Sequence, residues 1–299
     1  KGFIVNKFRG DVTLFDGGIS EIVARTGLTS FGVLPHLPGA FRLPQEDAMG
    51  LIGANTSNAN AQIRVVVPRI PHISNFDDFD PLAAEPNVAL EFVVAGRPLP
   101  GNADLIILPG SKTTLADLAA FRAEGWDIDL AAHVRRGGSV LGICGGYQML
   151  GASIADPAGI EGTPGTAEGL GLLDVATELS PRKSLVHVEG IEIASGLPVG
   201  GYEMHMGRTE GPDCAHPMLR TDDRTDGAVS RNGRIMGCYL HGLFAKNEFR
   251  QAFLARLASG FSSALDYDQS VETALDDLAA AIETHLDVDG LIAAARPIG

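Results

Sequence analysis

The stretch Val140-Leu141-Gly142-Ile143-Cys144-Gly145-Gly146-Tyr147-Gln148-Met149-Leu150-Gly151 constrains the fold of this chain more than any other. An apolar run of strand character stops at a cysteine, two glycines follow, and an apolar stretch of helical character resumes. Gly142 to Gly146 has the form G-x-C-x-G, the thiol counterpart of the nucleophile elbow. In that motif a sharp strand-to-helix turn lifts the reactive side chain clear of a sheet, and small neighbours are needed because larger ones would clash. A free cysteine is otherwise among the most buried residue types. The rest of the chain has to decide between a nucleophile and a core thiol.

Two segments favour the nucleophile. Ala103 to Leu108 reads as a strand buried on both faces, ended by Pro109-Gly110. Thr113 or Thr114 is placed to cap a following helix over Leu115–Glu124. The loop at Gly110, with the backbone N–H of Gly145, is positioned to form an oxyanion hole. Gly110-Ser111-Lys112-Thr113 is not a phosphate loop, because Ser111 separates the glycine from the lysine and the upstream glycine is missing. Far downstream, Gly237-Cys238-Tyr239-Leu240-His241-Gly242-Leu243-Phe244 ends a strand at His241. A thiol nucleophile needs an imidazole to take its proton and pass it to the leaving group, and the two meet in space rather than in sequence.

The segments LPGSK, GICGGYQMLG and YLHGLF resemble those of class I glutamine amidotransferases of the cobyric and cobyrinic acid synthase type. The finer stretches NKFRGD, GVLP, PHISNFDDFDPL and GYEMHMG resemble the cobyric acid synthases in particular, and the likeness runs over essentially the whole chain. The resemblance implies ATP-dependent amide formation with glutamine as nitrogen donor, on carboxylates of adenosylcobyrinic acid a,c-diamide in cobalamin synthesis. It implies Cys144 and His241 as the catalytic pair, Gly110 and Gly145 as the oxyanion hole, and Gln148 as a contact to substrate glutamine. Members of this type carry an amino-terminal synthetase domain with a P-loop. On that basis the chain is expected to be a carboxy-terminal portion that binds no cofactor itself, with ATP and Mg²⁺ required by the complete enzyme. The wider class has a glutamate two positions after the catalytic histidine. Leu243 stands there, which leaves a Cys144–His241 dyad and no third member. Other readings are a cobyrinic acid a,c-diamide synthase-type amidotransferase, a peptidase-like hydrolase of the same fold, and an inactive interaction module.

The expected fold is α/β: a doubly wound, mostly parallel, flavodoxin-like sheet with β-hairpin additions and a remnant of a P-loop-type synthetase domain. Residues 1–60 form that remnant and a linker, with strands at Phe3–Asn6 and Thr29–Leu34 around a helix at Gly18–Thr26. Pro44 and the Gly/Asn/Ser-rich run Gly50–Asn60 read as linker. Residues 61–258 form the amidotransferase domain, with strands at Arg64–Val67, Ala89–Val94, Asp104–Leu108 and Ser139–Ile143, and a hairpin around Asn232-Gly233. Residues 259–299 form a helical tail.

Strand alternation over Tyr202–Met206 puts Glu203 and His205 on one face, positioned to orient His241 or hold substrate. Ser74, Asn75, Asp77, Asp78 and Asp80 form a polar loop, solvated or turned toward the synthetase domain. Cys238 is expected in the core. A net charge of −14 argues against nucleic acid or an anionic membrane as partner. Three cysteines without paired spacing fit a reducing cytoplasm and no metal site. The expected partners are glutamine and, through the synthetase domain, a corrinoid.

Overall fold

The computed structural model describes residues 1–43, 58, 60–181 and 184–295. The expected linker Gly50–Asn60 lies outside them, apart from Asn58 and Asn60, as does Pro44. The chain divides into two compact units, Lys1–Gln45 with Asp268–Gly299, and Glu46–Tyr267.

The larger unit is built on a six-stranded sheet in the order Ala228–Val229, Ile235–Cys238, Ser139–Ile143, Leu105–Leu108, Ile63–Pro68, Val88–Val93. All neighbours pair in parallel except the Ala228–Val229 edge, which runs antiparallel as the near arm of the Asn232-Gly233 hairpin. The inner strands are apolar on both faces, and every residue of Leu105–Leu108 is buried. This is the pattern a sheet takes when both faces are covered. Helices Thr114–Ala123 and Trp126–Arg135 fill the crossover between Leu105–Leu108 and Ser139–Ile143. Trp126 meets Phe121 edge to face at 5.7 Å. Thr113 is the N-cap of the first of these helices, but its hydroxyl caps nothing, and the capping expected of Thr113 or Thr114 is absent.

The later half turns to antiparallel pairing, as the hairpin signals implied. Ser184–Glu192 and Pro198–His205 form a long hairpin, and Leu240–His241 adds to its second strand with Tyr202 opposite His241. A fully buried Arg250 then fixes the chain just beyond His241. It pairs with Glu85 at 2.6 Å and donates to the carbonyls of Phe244 and Leu265.

In the smaller unit Gly2–Phe8 and Thr29–Pro35 pair in parallel around the helix Asp16–Thr26. Two short strands and one helix bury little by themselves. The chain's last helices, Tyr267–His285 and Val288–Ala294, belong to the same unit. The Asp287 N–H donates to the Phe31 carbonyl, and Gly32 bridges to Leu286. The expected division at 60 and 258, with a separate tail, is therefore corrected. The tail completes the amino-terminal βαβ unit, whose apolar strand Thr29–Pro35 needs cover. Among the described residues no helix is long and apolar enough to cross a membrane.

Candidate active site

Cys144 sits at the turn between strand Ser139–Ile143 and helix Gly145–Leu150, with φ 50° and ψ −108°. A positive φ is uncommon for a residue with a side chain, and such strain gathers where the surroundings over-determine it. The surroundings explain the glycines of the motif. A Cβ on Gly142 would stand 2.6 Å from the Tyr147 nitrogen, and one on Gly146 would collide with the Leu108 carbonyl. The elbow can close this tightly only with glycine on both sides. Cys144 is 6% exposed, its N–H donates to the Cys238 carbonyl, and its thiol donates to the Met204 carbonyl at 3.5 Å.

His241 is fully buried at the end of strand Leu240–His241, which begins two residues beyond Ile235–Cys238, the neighbour of the elbow strand. Its Nδ1–H donates to Asp78 Oδ2 at 2.7 Å, and the Gly242 N–H donates to Asp78 Oδ1 at 2.6 Å. Its Nε2 has no hydrogen-bond partner among the described residues. Burial alone would lower the imidazole pKa. The charge and hydrogen bond of Asp78 oppose this and, reinforced by the nearby Cys144 thiol, push it up to about 10. The ring stacks on Tyr202 with centroids 5.3 Å apart, and Asn75 Nδ2 donates to the Tyr202 hydroxyl at 2.5 Å.

Asp78 is a buried acid hydrogen-bonded to His241 of the expected Cys144–His241 pair, and it corrects the reading of its loop as solvated. It is 3% exposed in the 3-10 turn Phe76–Phe79. Phe79 anchors that turn against Phe92 at 5.6 Å. No spacing rule links Asp78 to His241. The usable signal was an acid set between apolar residues that recur at short intervals, Ile73, Phe79 and Leu82, all buried. Leu243, at the position of the missing glutamate, is core.

The loop after Leu108 arrives on the other side of the nucleophile. Gly110–Ser111 pairs antiparallel with Ile73–Ser74. A Cβ on Gly110 would lie 3.0 Å from His241 Cε1, and one on Gly145 would lie 2.9 Å from the Ser111 nitrogen. The structure thus gathers Gly110, Gly145, Cys144 and His241 in one place. A fully buried Asp117 fixes this loop, accepting from Ser111 Oγ at 2.5 Å and from the His72 N–H at 3.1 Å.

Residues 64–249 match the CobB/CobQ-like glutamine amidotransferase domain. The chain belongs to that family. It is 54% identical over 299 residues to a cobyric acid synthase of Methylorubrum populi, covering 100% of this chain and 61% of that protein. It is 56% identical over 298 residues to the cobyric acid synthase of Methylobacterium nodulans, covering 99% and 60%. The chain therefore spans about 60% of the length of these relatives. Among solved structures, PurLQS from Thermotoga maritima aligns with a TM-score of 0.48 at 19% identity, over 73% of this chain and 99% of that one.

Within this amidotransferase domain the remaining expected site residues separate. Gln148 lies on the elbow helix, but its amide is already engaged. Oε1 accepts from Thr114 Oγ1 at 3.1 Å, and Nε2 donates to the Met206 carbonyl at 3.3 Å and to the Tyr239 hydroxyl at 3.2 Å. Glu161 Oε1 lies 3.2 Å from the same Thr114 hydroxyl, whose single proton the two acceptors share.

Glu203 and His205 do not orient His241, which corrects that expectation. Alternation sends Tyr202 toward His241 and turns Glu203 and His205 to the opposite face. There Glu203 pairs with Arg224 at 2.6 Å and with His205 at 3.4 Å, and the His205 ring stacks on Tyr239 at 3.9 Å. A cavity of about 440 Å³ opens on this side, lined by Tyr147, His205, Arg224, Asp226 and Tyr239 among others. Cys238 is core as expected, and burial pushes its thiol pKa well up.

Proposed function

We propose that this chain hydrolyses glutamine at Cys144 and supplies the ammonia for ATP-dependent amidation of corrinoid carboxylates, the activity for which its curated relatives are named. The observation that supports this reading is a strained cysteine at a strand-to-helix turn beside a buried histidine whose Nδ1 is paired and whose Nε2 is free.

Sulfur attacks the side-chain amide carbon of glutamine. The backbone N–H of Gly145 and an N–H of the facing Gly110–Ser111 loop stabilise the resulting oxyanion. His241, holding the proton taken from the thiol, passes it to the departing nitrogen, and ammonia leaves. A water molecule then gives a proton to His241 and attacks the γ-glutamyl thioester, releasing glutamate and the free thiol. Gln148, its amide held by Thr114, Met206 and Tyr239, acts by fixing the elbow helix rather than by presenting a free amide to glutamine.

ATP and Mg²⁺ act where the carboxylate is activated, with adenosylcobyrinic acid a,c-diamide as the acceptor. The loop Gly110–Lys112 does not fit a nucleotide phosphate. Gly110–Ser111 is a paired strand rather than a cradle, and the Lys112 N–H is spent on the His72 carbonyl. Calorimetric titration with Mg-ATP is expected to show no saturable binding in the low-micromolar range. The direct test of the reading is glutamate release from glutamine, with Cys144→Ala expected to abolish it. Cleavage of peptides in place of glutamine would favour the peptidase-like alternative.

A further inference from the structure

We infer that Asp78 is the positioning residue of a Cys144–His241–Asp78 group and that it sets the imidazole tautomer through a two-point hold. This rests on the glutaminase reading above.

An ionised carboxylate only accepts hydrogen bonds. Asp78 spends Oδ2 on the His241 ring and Oδ1 on the N–H of the next residue, Gly242. Two anchors on consecutive residues stop the carboxylate from turning. The Nδ1 proton is thereby fixed, and Nε2 is the nitrogen left to exchange protons with Cys144 and the leaving ammonia.

The same short segment also holds the face of the ring. Asn75, in the left-handed region at φ 52°, reverses the chain, and the Asp78 N–H closes the turn onto the Asn75 carbonyl at 3.0 Å. Its side chain bonds the Tyr202 hydroxyl that backs the imidazole. Immediately before it, Ile73–Ser74 forms a ladder with Gly110–Ser111. The segment that orients the base is therefore laced to the loop proposed for the oxyanion. The charged and titratable groups facing His241 are Asp77, Asp78 and Cys144, with Tyr202 on the ring face.

A buried carboxylate could also be purely structural, and the Gly242 contact separates the two cases. In Asp78→Asn the amide has one acceptor and one donor end. The Gly242 N–H can only donate, so it claims the carbonyl oxygen. The NH₂ end then faces Nδ1 and requires it bare, which puts the proton of the neutral ring on Nε2. That nitrogen can no longer accept from the thiol. Asp78→Ala leaves both tautomers open. Asparagine, the isosteric change, is thus the more damaging to catalysis. A packing role predicts the reverse, because alanine leaves the larger void.

The test uses the 299-residue chain as wild type, Asp78→Asn, Asp78→Ala and Cys144→Ala. Three quantities are read: the rate at which a chloroketone analogue of glutamine alkylates Cys144, kcat and KM for glutamine hydrolysis, and ¹⁵N NMR of His241. In Asp78→Asn, alkylation and kcat should fall about 10³- to 10⁴-fold, as when the carboxylate of a triad becomes an amide, with KM within about threefold. The neutral ring should carry its proton on Nε2. The fall in Asp78→Ala should be smaller. Asparagine equal to or better than alanine, a loss carried by KM, or a protonated Nδ1 in the neutral ring of Asp78→Asn would overturn the inference. If Asp78→Ala melts below the assay temperature, the NMR tautomer of Asp78→Asn decides alone. Glutamine hydrolysis surviving in Cys144→Ala overturns the glutaminase reading instead. A dead Cys144→Ala beside a fully active Asp78→Asn removes only the role of Asp78.

Discussion

Asp78 and Glu203 are both buried carboxylates next to a histidine, at 3% and 1% exposure. Asp78 binds Nδ1 of His241 and the following N–H, which leaves Nε2 of that ring without a partner and close to a thiol. Glu203 divides itself between Arg224 and His205, and Oε1 of Glu203 and Nδ1 of His205 make no hydrogen bond among the described residues. The first arrangement leaves a ring nitrogen open beside a thiol. The second ties together two elements of one sheet and borders a cavity. The residue types are nearly the same, and what separates them is the face of strand Pro198–His205 each one meets. Chemistry in this domain follows sheet register more than composition.

Single substitutions can break that contrast. His241→Ala is expected to lower glutamine turnover about 10²-fold or more, the usual scale of positioned acid–base help, while His205→Ala changes kcat by less than about threefold. Steady-state kinetics on the two variants checks this, and equal losses would erase the distinction between the faces.

Glu203→Gln is expected to cost about 2 kcal/mol of stability, the scale of a hydrogen bond to a charged group, with kcat nearly unchanged. Urea unfolding monitored alongside the glutaminase assay reads both.

The pH dependence of stability is set by two buried groups. His241 has its folded pKa raised from 6.5 to about 10, so its contribution to stability is complete below about pH 6.5 and disappears as pH rises through 10. Asp80 has the same sign over a lower interval, although here it is the charged form that the fold disfavours. Burial and the charges of Asp77 and Asp78 raise its pKa from 3.8 to about 7, so stability falls as pH rises across that interval. Asp80→Asn should therefore raise the melting temperature at pH 8 and leave it nearly unchanged at pH 4. Thermal melts across that range test the sign.

Much of the candidate site was legible because it is local. The elbow around Cys144 needs glycines at fixed offsets, and the strand ending at His241 is a short apolar run, so both could be read from neighbouring residues. The parallel sheet was legible for the same reason, and the strand Ser139–Ile143 falls where the apolar pattern put it. Asp78 was not legible. Its partner is far along the chain, and its burial depends on how Phe79 seats against Phe92. Alternation separated Tyr202 from Glu203 correctly, but the side facing His241 is set by the Tyr202–His241 pairing across two strands. The closing of the amino-terminal βαβ unit by the last helices is a long-range event of the same kind, invisible to local pattern.

The central claim is that Cys144 carries the glutamyl group. Wild-type chain mixed with isotopically labelled glutamine, quenched in acid and digested, should yield a γ-glutamyl adduct by mass spectrometry on the peptide containing Cys144, building up in His241→Ala if thioester hydrolysis is slowed more than attack. An adduct on Cys214 or Cys238, or glutamine hydrolysis with Cys144 unmodified at every quench time, would contradict the account.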